Sequence, residues 1–210
     1  MEISISGRSA IVTGGSKGIG FAIASRFASS GGDVAVVARE REGLDEAVGK
    51  IKAGTNAQVI GIPGDVGKAE DVQRAYNEAM AAFGKIDIMV NNAGTSRAGP
   101  FEAMSDEVLQ SDLELKLFAA VRISRLVLPQ MKERRWGRII NVLNIGAKAP
   151  RAASGPTSIT RAAGMAKDIP IGRFGRAEEF ANMACFLASD AGSYVTGTAI
   201  NIDGGRSPVV

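Results

Sequence analysis

Ser9-Ala10-Ile11-Val12-Thr13-Gly14-Gly15-Ser16-Lys17-Gly18-Ile19-Gly20 runs from an apolar stretch through a glycine turn into a helical pattern continued by Phe21, Ile23, Ala24 and Phe27. The pattern predicts a strand, a turn and an amphipathic helix. Such a turn presents backbone N–H groups at a helix N-terminus, where the macrodipole favours an anion, and its small residues admit a pyrophosphate closely. The implied ligand is a nucleotide held by Gly14, Gly15, Ser16, Lys17, Gly18, Ile19 and Gly20. The spacing, G-x-x-x-G-x-G, is neither the G-x-G-x-x-G fingerprint nor a phosphate loop ending in Gly-Lys-Ser/Thr, so the general rules apply in mechanism alone. A glycine cluster by itself is often just a tight turn. Its place after the first strand of a long alternating pattern favours the ligand.

Outward from the turn, β-branched runs recur at residues 10–12, 34–37, 59–62, 86–90, 138–142 and 198–202. Amphipathic stretches at residues 19–29, 41–52, 69–83, 106–132 and 177–188 separate them. This β-α alternation predicts a doubly wound parallel sheet with helices on both faces, and ligand loops at the strand C-termini. Continuously apolar strands such as Val34-Ala35-Val36-Val37 fit a sheet covered on both sides. One place breaks the pattern. After Asn141-Val142 the chain passes through a loop and a predicted helix at residues 158–167 and reaches Ile169-Pro170-Ile171-Gly172-Arg173-Phe174-Gly175 without another strand. A parallel crossover needs about a dozen residues, and no β-rich run lies there to receive one.

With 210 residues, 45% of them hydrophobic and 22% charged, the chain is expected to fold as a single domain over residues 1–210. The formal charge of +3 is dispersed except at residues 132–138, a basic cluster expected at a helix C-terminus, so no nucleic-acid partner is expected. No stretch approaches the ~18 apolar residues of a membrane span. A soluble, cytoplasmic protein with no membrane partner is therefore the default. The one cysteine, Cys185, lies among Ala184, Phe186 and Leu187 and reads as core. The absence of histidine removes a Ser-His-Asp triad and most zinc sites, and no metal is expected.

Taken together, Thr13 to Gly20, Asp65-Val66, Asn91-Asn92-Ala93-Gly94, Gly137-Arg138-Ile139-Ile140-Asn141, Pro170 to Gly175 and Asp203-Gly204-Gly205 resemble the short-chain dehydrogenase/reductase family. The likeness covers nearly the whole chain. It implies a Rossmann-like sheet of seven strands, a nicotinamide dinucleotide, hydride transfer to a carbonyl or from an alcohol, and a homo-oligomer, tetramer or dimer. It also locates the break, since the sixth strand and substrate loop expected between about Met165 and Lys167 are missing. Omission of a segment is preferred to true deletion as the explanation, because losing a buried strand exposes sheet edges.

The resemblance assigns roles along the crevice. Arg39 stands where an NAD-selective protein places an acid, and with Lys17 it can fork onto a 2′-phosphate, implying NADP(H) rather than NAD(H). The alternative is that both are solvated surface cations. Asp65 either accepts from the adenine amino group, with Val66 packing the ring, or caps the helix that follows. Asn91, Asn92, Ala93 and Gly94 end the fourth strand beside the expected nicotinamide ribose, or form only a strand-ending turn.

At the chemical positions the chain departs from the family. The asparagine, serine, tyrosine and lysine that perform the chemistry in typical relatives align with Lys116, Asn144, Thr157 and Arg161. An aliphatic hydroxyl is a far weaker acid than a phenol with a pKa of about 10, so Thr157 is a poor proton donor. Arg161 retains donors for the ribose, and Asn144 can bond a carbonyl. Lys116, an amine near the carbonyl, is a candidate acid, against the alternative of a helix cation paired with an acid or a carbonyl group. Ser154, Ser158 and Thr160 offer further hydroxyls, although such residues mostly cap helices or face solvent. Two functions stay open: an NADP(H)-dependent oxidoreductase acting on a small carbonyl or alcohol, and a non-catalytic NADP(H)-binding sensor or structural oligomer partner. The expected interface comprises residues 106–132, with Leu113, Leu117, Val121 and Leu128 at helical spacing, and residues 200–208.

Overall fold

The computed structural model describes residues 3–95, 105–143, 170–171 and 173–205. Five strands form one parallel sheet in the order β3-β2-β1-β4-β5. They are β1 (Ser9–Thr13), β2 (Asp33–Ala38), β3 (Val59–Pro63), β4 (Ile88–Asn91) and β5 (Arg138–Asn141). Helices α1 (Gly18–Ser29), α2 (Arg41–Lys52) and α3 (Ala69–Phe83) alternate with the first four strands. Between β4 and β5 come α4 (Asp106–Leu113), a π-helical turn (Glu114–Phe118) and α5 (Ala119–Glu133); α6 (Ala177–Ala188) follows later.

The period-2 alternation of the strands sorts their side chains into two apolar layers. Ala10, Val12, Val34, Val36, Ile88 and Val90 pack with residues of α1, α2 and α6, including Phe27 and Cys185. On the opposite face Ile11, Ala35, Val37 and Met89 pack with α3 and α5. Every residue of β1 is buried because β2 and β4 flank it and helices cover both faces. The strand order reverses between β1 and β4, which opens a crevice at their C-terminal ends. At the other end of the sheet Asp87, 2% exposed, is neutralised by Lys85 at 3.1 Å and Arg134 at 3.2 Å and accepts from the Ser9 amide at 3.1 Å. A carboxylate this buried is tolerable only with such partners. Arg134, from the basic cluster expected at a helix end, thus ties the α5 terminus to the sheet.

Two expectations are corrected. The single helix over residues 106–132 is divided by the π-helical turn, whose wider winding turns Leu117 (51% exposed) and Phe118 (39%) outward while Ala119 and Ile123 stay buried. Residues 198–202 carry β-branched side chains yet form no strand, and among the described residues β5 is paired with β4 alone. The predicted helix at 158–167 and the break at 165–167 lie outside the described residues. No helix among the described residues is long and apolar enough to cross a membrane.

Candidate functional site

The glycine turn is built by close backbone packing. Gly14 adopts φ +65, a conformation unfavourable for side chains, and both Gly14 and Gly15 donate their amides to the Val37 carbonyl at 2.8 and 3.4 Å. At Gly20 a Cβ would lie 2.3 Å from the Gly14 carbonyl oxygen and 2.4 Å from Asn92 Nδ2, so only glycine lets α1 begin this close to β4. Thr13, 3% exposed, accepts from the Asn92 and Ala93 amides at 3.0 and 3.1 Å and donates to the Val90 carbonyl at 3.2 Å. Asn92 Nδ2 in turn donates to the Thr13 and Gly14 carbonyls at 2.9 and 3.1 Å. The two motifs read separately in the sequence, 13–20 and 91–94, are therefore one hydrogen-bonded unit across the switch point.

No side chain caps the N-terminus of α1. Its first amides are left for an anion, and Ser16, half-buried, stands beside them with Lys17, Gly18 and Ile19 exposed. Arg39 is also exposed, at the end of β2. Among the described residues neither Lys17 nor Arg39 has an ion-pair partner. On the third strand's loop, Asp65 Oδ1 accepts from the Gly67 amide at 3.0 Å while the Asp65 amide donates to Asp71 at 2.8 Å. The loop is thus prearranged by its own side chains. Asp65 does not cap α3, which starts at Ala69 behind Lys68 with no side-chain cap, and its bond to the Gly67 amide is a turn within the loop; Val66 is 7% exposed, packed with α3 and α5 residues.

Lys116 lies on the π-helical turn, 44% exposed, with Nζ 2.8 Å from the Asp112 carboxylate. It is thus an ion-paired helix cation. Asn144, Thr157, Arg161, Ser154, Ser158 and Thr160 lie outside the described residues. Asn91, at the end of β4, donates through Nδ2 to Asn141 Oδ1 at 2.8 Å, and the Val142 amide donates to the Asn91 carbonyl at 2.9 Å. These bonds bring the β4 and β5 ends together. Asn141 and Thr13 were quoted in the sequence only as motif members; their positioning roles became visible when strand register set their side chains opposite the loops they hold.

Beyond β5 a cavity of about 630 Å³ opens between Ile139, Asn141 and Leu143 on one bank and residues 193–203 on the other, with Phe180 and Met183 of α6 at its floor. The bank residues Leu143, Ile200 and Ile202 are 69, 41 and 37% exposed.

The family model described as short chain dehydrogenase matches residues 8–165, and one described as Enoyl-(Acyl carrier protein) reductase matches residues 148–207. The first match ends at Met165, where the sequence break was placed. The 3-oxoacyl-(acyl-carrier-protein) reductase FabG of Escherichia coli (strain K12) is 30% identical over 244 aligned positions, covering 97% of this chain and 98% of that protein. Dehydrogenase/reductase SDR family member 4 of Bos taurus is 30% identical, covering 93% of this chain and 86% of its own. These alignments are longer than the 210-residue chain, so the relatives carry several dozen positions with no counterpart here. Among solved structures, L-sorbose reductase from Gluconobacter frateurii, complexed with NADPH and L-sorbose, superposes with a TM-score of 0.90 at 31% identity, covering all of both chains. The glycine turn locked to the β4 loop, the order of the sheet and these likenesses agree, and the chain belongs to the short-chain dehydrogenase/reductase family of oxidoreductases.

Proposed function

We propose that the protein is an NADP(H)-dependent oxidoreductase acting on a small carbonyl or alcohol through an atypical site. The observation that carries the cofactor preference is the pair of exposed cations, Lys17 and Arg39, without acidic partners among the described residues and flanking a glycine turn that a Cβ at Gly20 would fill. A pyrophosphate fits the uncapped amides of α1, and a 2′-phosphate fits a guanidinium that is not already neutralised. The NADPH complex of the sorbose reductase lends the same reading support by analogy. Bound there, the dinucleotide supplies or accepts the hydride.

The chain's own residues do the rest. Asn91, Asn92, Ala93 and Gly94 border the nicotinamide end, while Asn144 and Arg161 orient the carbonyl and the ribose. Lys116 would donate the proton to the carbonyl oxygen, with Thr157 as an alternative donor through its hydroxyl. To act, Lys116 must leave Asp112 or share its proton while paired. A second reading, a dinucleotide-binding sensor or structural oligomer partner without turnover, is favoured by that same Lys116–Asp112 pair. A homo-oligomer, dimer or tetramer, fits the exposed Leu109, Leu113, Leu117 and Phe118 on the α4-to-α5 stretch.

The test is an NADPH and NADH titration followed by a panel of small carbonyls. We expect NADPH to bind more tightly, Arg39→Glu to reverse the preference, and Lys116→Met to lower turnover by about 10²-fold or more, the scale of a lost general acid. NADPH binding without consumption across the panel supports the sensor. Equal affinity for the two dinucleotides overturns the role of Arg39.

A further inference from the structure

Arg122, the fourth residue of α5, reaches in two directions. Its Nη1 donates to the Gly67 carbonyl at 3.4 Å and lies 2.6 Å from Glu114 Oε2, while its guanidinium carbon sits 5.5 Å from the centre of the Phe118 ring. Glu114 and Phe118 are the first and last residues of the π-helical turn that bears Lys116. Gly67 belongs to the loop after β3, whose neighbours Asp65 and Val66 are the adenine-side candidates. One side chain therefore bridges the two halves of the candidate site.

The bridge is not an ordinary helix-surface pair. Glu114 and Arg122 are eight residues apart, about 12 Å of rise along an α-helix, beyond the three or four residues at which helix neighbours meet. Their side chains must extend along the axis to touch, with the π-helical turn between them. Each end is secured locally. Glu114 Oε1 also accepts from Gln110 Nε2 at 3.0 Å, and the Gly67 amide is held by Asp65 at 3.0 Å. Displacing the loop pulls on Arg122, and Arg122 pulls on both ends of the turn. A π-helical turn inserted in an α-helix can relax to α-helix by shifting one residue, so it is an element with two discrete arrangements available to be biased.

We propose that Arg122 is a positioning residue that couples the loop of Asp65, Val66 and Gly67 to the π-helical turn carrying Lys116, so that a ligand filling the adenine side fixes the setting of Lys116. The proposal rests on the cofactor reading above and adds to it a route by which the cofactor's far end organises the chemical end. It acts through other residues, so its effect is on the turn's geometry rather than on the reacting atoms.

Hydrogen exchange of the full chain with adenosine 2′,5′-bisphosphate, which carries the adenine and the 2′-phosphate but no nicotinamide, tests it. In the parent protein, saturation with this probe is expected to slow exchange at the Leu117, Phe118 and Ala119 amides several-fold. In Arg122→Met the probe is expected to leave those amides unchanged and to bind several-fold more weakly, while reduced nicotinamide mononucleotide binds both proteins alike. Glu114→Ala removes the acceptor at the other end of the bridge without touching the loop and is expected to abolish the protection while keeping the probe's affinity, which guards against a fold lost in Arg122→Met. Protection that persists in either variant, or is missing from a parent protein that binds the probe, overturns the coupling. A parent protein that binds neither probe nor NADPH overturns the cofactor reading, and the coupling with it.

Discussion

β1 and residues 198–202 are both short β-branched runs, and only one of them is a strand. Ser9–Thr13 lies between two parallel neighbours with every residue buried, whereas residues 198–202 are exposed throughout, across a cavity from a β5 that pairs with β4 alone among the described residues. β-propensity is mostly the fit of a side chain to cross-strand and facing neighbours, so a similar composition yields a strand at β1, between two paired neighbours, and an irregular segment at residues 198–202. The difference divides the described residues into a tightly packed half that builds the glycine turn and an edge half in which apolar side chains line a cavity.

The sharpest test of that division is mutational. Phe27, fully buried between α1 and the sheet, should cost about 3–5 kcal/mol on replacement by alanine, the usual range for deleting a core aromatic. Ile200→Ala, at a residue 41% exposed, should stay within about 0.5 kcal/mol in the same urea titration. A comparable loss at both positions would erase the distinction, and would mean that residues 198–202 are packed in solution.

Within the tight half the glycines can be separated by what surrounds them. Gly20→Ala forces a Cβ against the Gly14 carbonyl and Asn92 and is expected to cost about 1–3 kcal/mol and to weaken NADPH binding. Gly43→Ala in α2, where a Cβ meets nothing within 4 Å, is expected to stabilise by up to about 1 kcal/mol through helix propensity. Thr13→Val keeps the shape but strips the acceptor from two amides, at a cost of about 1–3 kcal/mol. Measured as shifts in denaturation midpoint, a neutral Gly20→Ala would show that the turn relaxes without difficulty and that its tightness is not what excludes other residues.

Most of the tight half was legible in the sequence. The limits of α2, α3 and α6 coincide with the periodic stretches at 41–52, 69–83 and 177–188, because each is an amphipathic helix with a polar surface on one side and a core on the other. The strand runs at 10–12, 34–37 and 59–62 were likewise found within a residue or two, since burial on both faces leaves an unbroken apolar signal. What could not be read was whatever depends on a partner distant in sequence. The π-helical turn hides because Glu114 to Phe118 continue the helical composition, and residues 198–202 mislead because composition does not report whether a neighbouring strand exists. The Thr13 and Arg122 bridges hide for a related reason: their contacts lie 79 and 55 residues away. The chemical site was legible only as a set of substitutions at family positions, of which Lys116 alone lies among the described residues.

The smallest expected effect tests whether the edge half is as well closed at the start of α6 as its side chains suggest. Ahead of α6, Arg173 forks onto Glu179 with contacts of 2.8 and 2.6 Å, and Glu179 also accepts from the Arg176 amide at 2.8 Å, closing the first turn of the helix. The Arg173 guanidinium, and after it the Arg176 amide, hold the Glu179 carboxyl at about 2, well below the usual 4.5. Because the folded value is depressed, the clasp contributes fully above the ordinary carboxylate value and fades as pH falls from about 4.5 through about 2. The pair is exposed, so salt should screen it and its share of global stability should be slight. A carboxyl-detected NMR titration is expected to find Glu179 still ionised at pH 3, and Arg173→Gln should return its midpoint toward 4.5. A parent midpoint already near 4.5 would mean that the clasp does not form and that the start of α6 is not closed by its own side chains. A low midpoint would show that the first turn of α6 is closed by its own side chains, and would confine the exposed face to the segment beside the cavity.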